Sequence, residues 1–263
     1  LTSPPEPWLR GDRRATGRLA DVALVVFHAG ALADGVPMSL ARFGGPSSAS
    51  VQRVDVTAIQ DPGWLGGWRA GGMRAVAEST LTPTELGALD AADRCHFVRA
   101  TIADPADLTH LQAAWAIARW LSARGATLVL DAFAIRFHTA ERLLAEDVRA
   151  PLSIDREVAI VHEAEPELGK LGHVVHTRGL GKLARPDLVA LVEPRAVKAT
   201  VAVLRALAAR LGDGYMPTPG DRPALPPELG VAPTLHPMTP GGLADSLHLN
   251  NDAWLVEVDR TAS

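Results

Sequence analysis

The chain has 263 residues, 47% of them hydrophobic and 21% charged, with a formal net charge of -4. That is enough apolar surface for a substantial core in one large domain or two intimate ones, and it excludes a disordered chain. An acidic balance with no long basic run argues against nucleic acid and anionic membranes as partners.

Cys95 is the single cysteine, so no internal disulfide can form and a disulfide-stapled secreted fold is not expected. The most apolar run, Asp21 to Val36, is broken by His28, Gly30 and Asp34 and does not reach membrane-spanning length. The N-terminal stretch lacks the basic-then-apolar order of a signal peptide. Only Lys170, Lys182 and Lys198 are lysines among 26 basic residues. With the abundant alanine, this arginine bias points to a GC-rich bacterial genome, and a soluble cytoplasmic protein is the expectation.

Residues 1–18 read as a flexible arm, because Pro4, Pro5 and Pro7 break early regular structure. "DVALVVFHAG" is a short continuous apolar run that predicts a strand buried on both faces. "SVQRVDVTAI" predicts a half-exposed strand. The glycine-rich "DPGWLGGWRAGG" reads as a loop, with Trp64 and Trp68 either pinning it or forming an interaction patch. Residues 83–94 predict a short helix capped by Thr82, with Pro83 at its first position and Glu85 three beyond the cap.

"CHFVRATIA" is strand-like. The next helix is expected to start at an Asp104 cap with Pro105 in its first turn and to bury Leu108, Leu111, Trp115, Ala118 and Leu121. Gly125 ends it, and "ATLVLDAFAI" predicts the following strand. Strand, helix and strand in about 35 residues form a βαβ-like unit. In the second half, "REVAIVHE", "HVVHTRG" and "PDLVALVEP" are strand candidates. Pro194 opens a long helix carrying Val197, Val201, Leu204 and Ala208, with Val203, Leu207 and Leu211 beside them. Residues 216–240 hold eight of the 20 prolines and do not read as a packed regular element. "AWLVEVD" predicts a last strand.

For chemistry, His162-Glu163 resembles the opening of a zinc-protease motif, but the second histidine is missing and Pro166 breaks the helix that motif needs. His173 and His176 would point to opposite faces of a strand. No structural metal and no cofactor is therefore expected. There is no nucleophile elbow of the G-x-S-x-G kind, Cys95 reads as a small core residue, and no phosphate-binding loop is present. Arg69 and Arg74 could seat an anion beside free backbone N–H groups.

The segment 173–192 predicts a β-hairpin whose loop, "GLGKLARP", has glycine at its turn and Pro186 at the next strand's start. His176, Arg178, Lys182 and Arg185 are its candidate ligand- or partner-binding residues, because a cationic cluster can take a carboxylate or phosphate. The alternative at the same residues is a structural hairpin with Arg178 in an internal ion pair.

The run "HTRGLGKLARPDL" resembles the signature strand and turn, H-T-x-G-[LM]-x-K-x-G-x-P-[DE], of an uncharacterised bacterial domain-of-unknown-function family whose members resemble neighbours of suppressor-of-fused-like proteins. His176, Thr177, Gly179, Leu180, Lys182, Pro186 and Asp187 match, while Ala184 stands where that family has glycine. The likeness covers residues 95–215. It implies an α+β fold and carries over no catalytic residue.

The expected fold is α+β: a mixed or antiparallel sheet with two long amphipathic helices packed on it. Residues 19–263 are expected to form a single domain, within which 19–150 and 151–263 read as two loosely similar halves. The leading functional expectation is a non-enzymatic binding or interaction protein, with an immunity or accessory role as one form of it. Its partner would be an unidentified protein or a small anionic ligand. The other class is an enzyme or small-anion binder working through the loop at 176–185.

Overall fold

The run Leu19–His28 forms β1, and its central residues are inaccessible from either side. Val25 and Phe27 join one apolar cluster, while the alternate residues Val22, Leu24 and Val26 are equally buried on the opposite face. In the computed structural model, which describes residues 3–11, 16–164, 171–238 and 251–260, β1 is the middle strand of the first of two five-stranded sheets. The chain divides into two compact units, Leu1–Leu9 with Ala20–Leu152 and Arg10–Leu19 with Ser153–Ser263. The α+β class follows from helices and antiparallel or mixed sheets in both.

After β1 come two short helices, α1 (Leu40–Phe43) and α2 (Ser48–Val51), then β2 (Asp55–Ile59). The strand expected from "SVQRVDVTAI" thus begins only at Asp55, because Ser47 caps a helical turn by accepting from the Ser50 N–H at 3.1 Å. Three helices follow: α3 (Pro62–Trp68), α4 (Gly71–Thr80) and α5 (Pro83–Ala91). The expected glycine-rich loop is therefore helical. Asp61 accepts from the N–H groups of Gly63 and Trp64 at 2.8 and 3.3 Å, and Pro62 sits where its missing N–H costs nothing. The α5 start carries the full capping box, Thr82 with Glu85.

Next are β3 (Arg94–Ala103), α6 (Thr109–Ala123), β4 (Leu128–Asp131), β5 (Arg136–Thr139) and α7 (Ala140–Ala145). The sheet order is β2-β3-β1-β4-β5. The α6 connection therefore runs from β3 past β1 to β4, and β4 pairs antiparallel with β1. Asp104 does not cap α6. It has φ +42°, and the turn before the helix is held by Asp107, which accepts from the N–H and hydroxyl of Thr109 at 3.0 and 2.6 Å. The strand expected over "ATLVLDAFAI" stops at Asp131. Its buried carboxylate accepts from the N–H groups of Phe133 and Ala134, both at 3.1 Å, and turns the chain into β5.

Burial on α6 exceeds one stripe. His110, Gln112, Arg119 and Ser122 are buried with Leu111, Trp115 and Leu121, because α1, α2 and α7 pack on the helix as well as β3. Residues 3–9, expected as part of a flexible arm, make tertiary contacts here. Trp8 is 8% exposed. Its N–H donates to Gln112 at 3.1 Å and its indole to the Ala150 carbonyl at 3.2 Å, so an aromatic side chain anchors the segment.

The second unit contains α8 (Ile154–Glu157), β6 (Ala159–Ala164), β7 (His173–Arg178), β8 (Asp187–Val192), α9 (Val197–Gly212), β9 (Val231–Pro237) and β10 (Ala253–Arg260). Its order is β6-β7-β8-β10-β9. The pairing is mixed, since β10 runs parallel to β8 and antiparallel to β9. Helix α9 packs on β6, β7 and β8 through Thr200, Val203, Leu204, Leu207, Ala208 and Leu211. The proline-rich stretch expected to lack regular structure contains β9. Edge position makes this tolerable: the Leu235 N–H points away from β10 to the Asp221 carbonyl at 2.9 Å. By alternation the nitrogens of Pro233 and Pro237 point the same way, where no ladder bond is required.

Trp115 is fully buried and meets His138 edge-on, with ring centroids 5.1 Å apart. Trp115→Ala is expected to lower stability by roughly 3–5 kcal/mol, read from urea unfolding of the variant against the parent. An unchanged midpoint would show that α6 does not bury this face.

Candidate functional site

The hairpin of the second unit places the candidate residues. β7 and β8 pair antiparallel, with His173 opposite Val192 and His176 opposite Val189. Gly179 opens the connection at φ +109°, a conformation side chains resist. A 3-10 turn, Leu180–Leu183, follows. Ala184 then adopts the left-handed conformation at φ +52°, ψ +41°, the backbone state that glycine reaches at least cost.

Among the described residues the four candidates do not share one set of partners. Lys182 is fully buried. Its ammonium lies 2.9 Å from Glu157 at the end of α8, and both side chains have no exposure. Arg185 is 1% exposed. It donates to the carbonyls of Gly214 at 2.7 Å, Tyr215 at 3.0 Å and Ala184 at 2.9 Å. Two of these lie just past the end of α9, where a cation also meets the negative end of the helix dipole. The sequence offers no local signal for this, since Glu157, Gly214 and Tyr215 are distant in the chain.

His176 and Arg178 share Glu163 of β6. The His176 Nε2 is 3.3 Å and the Arg178 guanidinium 3.6 Å from the same carboxylate oxygen. His176 is fully buried, and that burial holds its pKa below the usual histidine range despite Glu163. Arg178 is 16% exposed and Glu163 33%. Arg178 is thus in an ion pair within the second unit.

A second knot forms around Asp187, the first residue of β8. One carboxylate oxygen accepts from the Thr177 hydroxyl at 2.9 Å and the Leu180 N–H at 3.4 Å; the other accepts from Asn251 at 3.1 Å. Thr177 also accepts from the Leu188 N–H at 2.8 Å. Burial pushes the Asp187 carboxyl up to about 6, against the pull of these donors. His176, Thr177, Gly179, Leu180, Lys182 and Asp187 are therefore buried, bonded within the hairpin or to β6 and α8 beside it.

A concave surface of this unit lies away from the four candidate residues. A cleft of about 590 Å³ runs between the start of α9, the end of β8, and β9 and β10. Leu191, Val192, Ala199 and Val256 are among its apolar walls, and Thr200, Glu193, Arg195 and Glu257 supply polar atoms. Glu193 and Arg195 form an ion pair at 2.6 Å, and Glu257 lies 3.6 Å from His236. No local sequence signal marks these residues, because their meeting depends on strand order.

In the first unit, Trp64 and Trp68 are half-buried and packed against the core. Their rings lie 5.5 Å apart, with Phe97 5.8 Å from Trp64. They pack from α3 onto the core, with part of each ring left accessible. Arg69 donates to the carbonyls of Asp90 and Ala92 at 3.2 and 2.8 Å, and Arg74 pairs with Glu78 and Asp90 at 2.8 and 2.5 Å, so both guanidiniums have protein acceptors. Cys95 is buried, and burial pushes its thiol up to about 12, away from the thiolate a nucleophile needs. No helix among the described residues is long and apolar enough to cross a membrane. No family model, curated protein or solved structure matches the chain.

Two outcomes follow. Lys182→Met is expected to cost about 3–5 kcal/mol, because it strips the fully buried Glu157 of its nearer cation at 2.9 Å and leaves Arg156 at 3.6 Å; adding Glu157→Leu should recover much of the loss. Denaturant titrations of the single and double variants check this, and a double variant as unstable as the single one would contradict it. The second outcome concerns pH. Between its ordinary value of 3.8 and about 6, Asp187 binds a proton more readily folded than unfolded, so its contribution to stability declines as pH rises through that window. His28, His96 and His176, all held low by burial, act with the opposite sign: stability falls as pH drops below 6.5. Asp187→Asn should therefore lose stability more steeply than the parent between pH 6 and 4, by up to about 3 kcal/mol. Parallel pH slopes for the two proteins would remove Asp187 from the account.

Proposed function

We propose that this chain is a non-enzymatic binding protein whose second unit accepts a small ligand with an apolar body in the cleft beside α9. The observation that carries this reading is the cleft itself. Its volume, about 590 Å³, falls in the range of small-molecule sites, and its apolar walls with a few polar groups match their usual chemistry. Arg195 and Glu193 are 77% and 40% exposed in their side chains. Each can exchange its partner for a ligand group at little cost, since exposed ion pairs are weak. An anionic head beside Arg195 and an apolar tail along Val192, Ala199 and Val256 is the arrangement that fits.

This reading keeps the binding class expected from the sequence and moves its location. Anion capture by the loop at 176–185 has less support, since Lys182 and Arg185 are buried against acceptors of their own. An immunity or accessory role is compatible with a ligand-binding unit and remains a proposal of the same kind.

The test uses 8-anilinonaphthalene-1-sulfonate, an apolar-bodied anion, as the probe. The parent protein is expected to bind one equivalent saturably. Ala199→Trp, which places a large side chain in an exposed wall position, should abolish binding while the circular dichroism spectrum stays unchanged. Equal binding by parent and variant, or none by the parent, would overturn the assignment.

A further inference from the structure

Four of the nine histidines meet in two cross-strand pairs that sequence spacing does not reveal. His28 of β1 and His96 of β3 approach at 3.1 Å between Nε2 and Nδ1. His162 of β6 and His173 of β7 approach at 2.6 Å between the same atom types. Their ring centroids are 5.1 and 4.9 Å apart. These separations are close to the nitrogen distances plus the two ring radii, so the rings meet nitrogen to nitrogen and do not stack face on face. Each contact is a shared N–H···N hydrogen bond, and such a bond requires at least one neutral imidazole.

We propose that His162 and His173 form an exchangeable surface site for a divalent transition-metal ion of the zinc and nickel type, bound through His162 Nε2 and His173 Nδ1. Neutral imidazole nitrogens are preferred ligands for these ions. Two nitrogens, each about 2.0–2.1 Å from one ion, sit roughly 3 Å apart. The pair therefore needs only to open slightly and turn both lone pairs to a common point. The ring that donates in the free protein moves its proton to its other nitrogen, and no bond between heavy atoms changes. Antiparallel pairing of β6 with β7, with Ala164 opposite His173 and His162 opposite Val175, already holds the two residues diagonally on one face. Little ordering is left for the ion to impose.

Access separates the two pairs. His162 is exposed and His173 half-buried, so an ion can reach the pair from solvent. His28 is 3% exposed, and its Nδ1 lies 2.8 Å from the Gly30 carbonyl. Charges of both signs, Asp93 and then Arg94 and Arg124, surround that pair, so burial and the Gly30 bond are what set it apart. On the strand face shared by His162 and His173, the sheet neighbours Ile160, Ala164, Val175, Ala190 and Val192 carry no charge. No group of three or more histidine, cysteine, aspartate or glutamate side chains that could hold a metal occurs among the described residues. Among the described residues the site thus has two protein ligands, and it suits an exchangeable ion more than a structural one. His176, on the opposite face from His173, takes no part.

The experiment is calorimetric titration of tag-free protein with nickel chloride and with zinc chloride. One ion per chain is expected, in the micromolar range. His162→Ala and His173→Ala should each weaken binding by about tenfold or more, and His236→Ala should leave it unchanged. Circular dichroism confirms folding, and His173→Asn serves as the second variant if His173→Ala is unstable. Absence of saturable binding, or binding that survives both alanine substitutions, overturns the proposal; the second result would place any ion at other histidines.

Discussion

A fully buried carboxylate holds the second unit together. Asp187 begins β8, and its own N–H donates to the Asp252 carbonyl at 2.8 Å, just before β10 begins. Its side chain accepts from Thr177 at the end of β7, from Leu180 in the turn, and from Asn251 ahead of β10. One residue thus fixes where three strands start or stop relative to one another. A carboxylate without these donors would be costly to bury. With them it becomes a register pin, and the unpaired N–H of Leu180 is satisfied by the same group that aligns the strands.

The same logic governs the cations around it. Lys182 and Arg185 lie within four residues of each other, yet their charges point to different acceptors, Glu157 in one case and carbonyls beyond α9 in the other. Each thereby ties the hairpin's turn to a helix. Buried charges of this kind contribute little net stability when intact and much instability when one member is lost. Their effect is to specify one arrangement of turn and helices. Arg10 adds a further tie in this unit by donating to the Leu183 carbonyl.

What was readable in the sequence had a local cause. The β1 run, the Thr82–Glu85 capping box and the two strands around Gly179 and Pro186 are each encoded within about ten residues. What escaped depends on position in a sheet or on distant partners. A stretch with five glycines reads as a loop until the Asp61 cap and the packing of Trp64 and Trp68 are seen. Pro233 and Pro237 argue against a strand unless that strand is at an edge. The exposed appearance of Lys182 and Arg185 came from their charge alone, and no neighbour in the chain announces Glu157 or the Gly214 carbonyl. The cleft and the histidine pairs are legible only through strand register, which composition and periodicity do not supply.

The edge formed by β9 has a consequence for assembly. Pro233 and Pro237 withdraw two outward N–H groups, and between them Leu235 exchanges both of its backbone bonds with Gly220 and Asp221. An incoming extended chain would find there few of the donors that template sheet growth. The second sheet is thereby sealed on one side against edge-to-edge polymerisation. A copy of the chain seeking to extend that sheet would have to approach through β6, at its opposite margin.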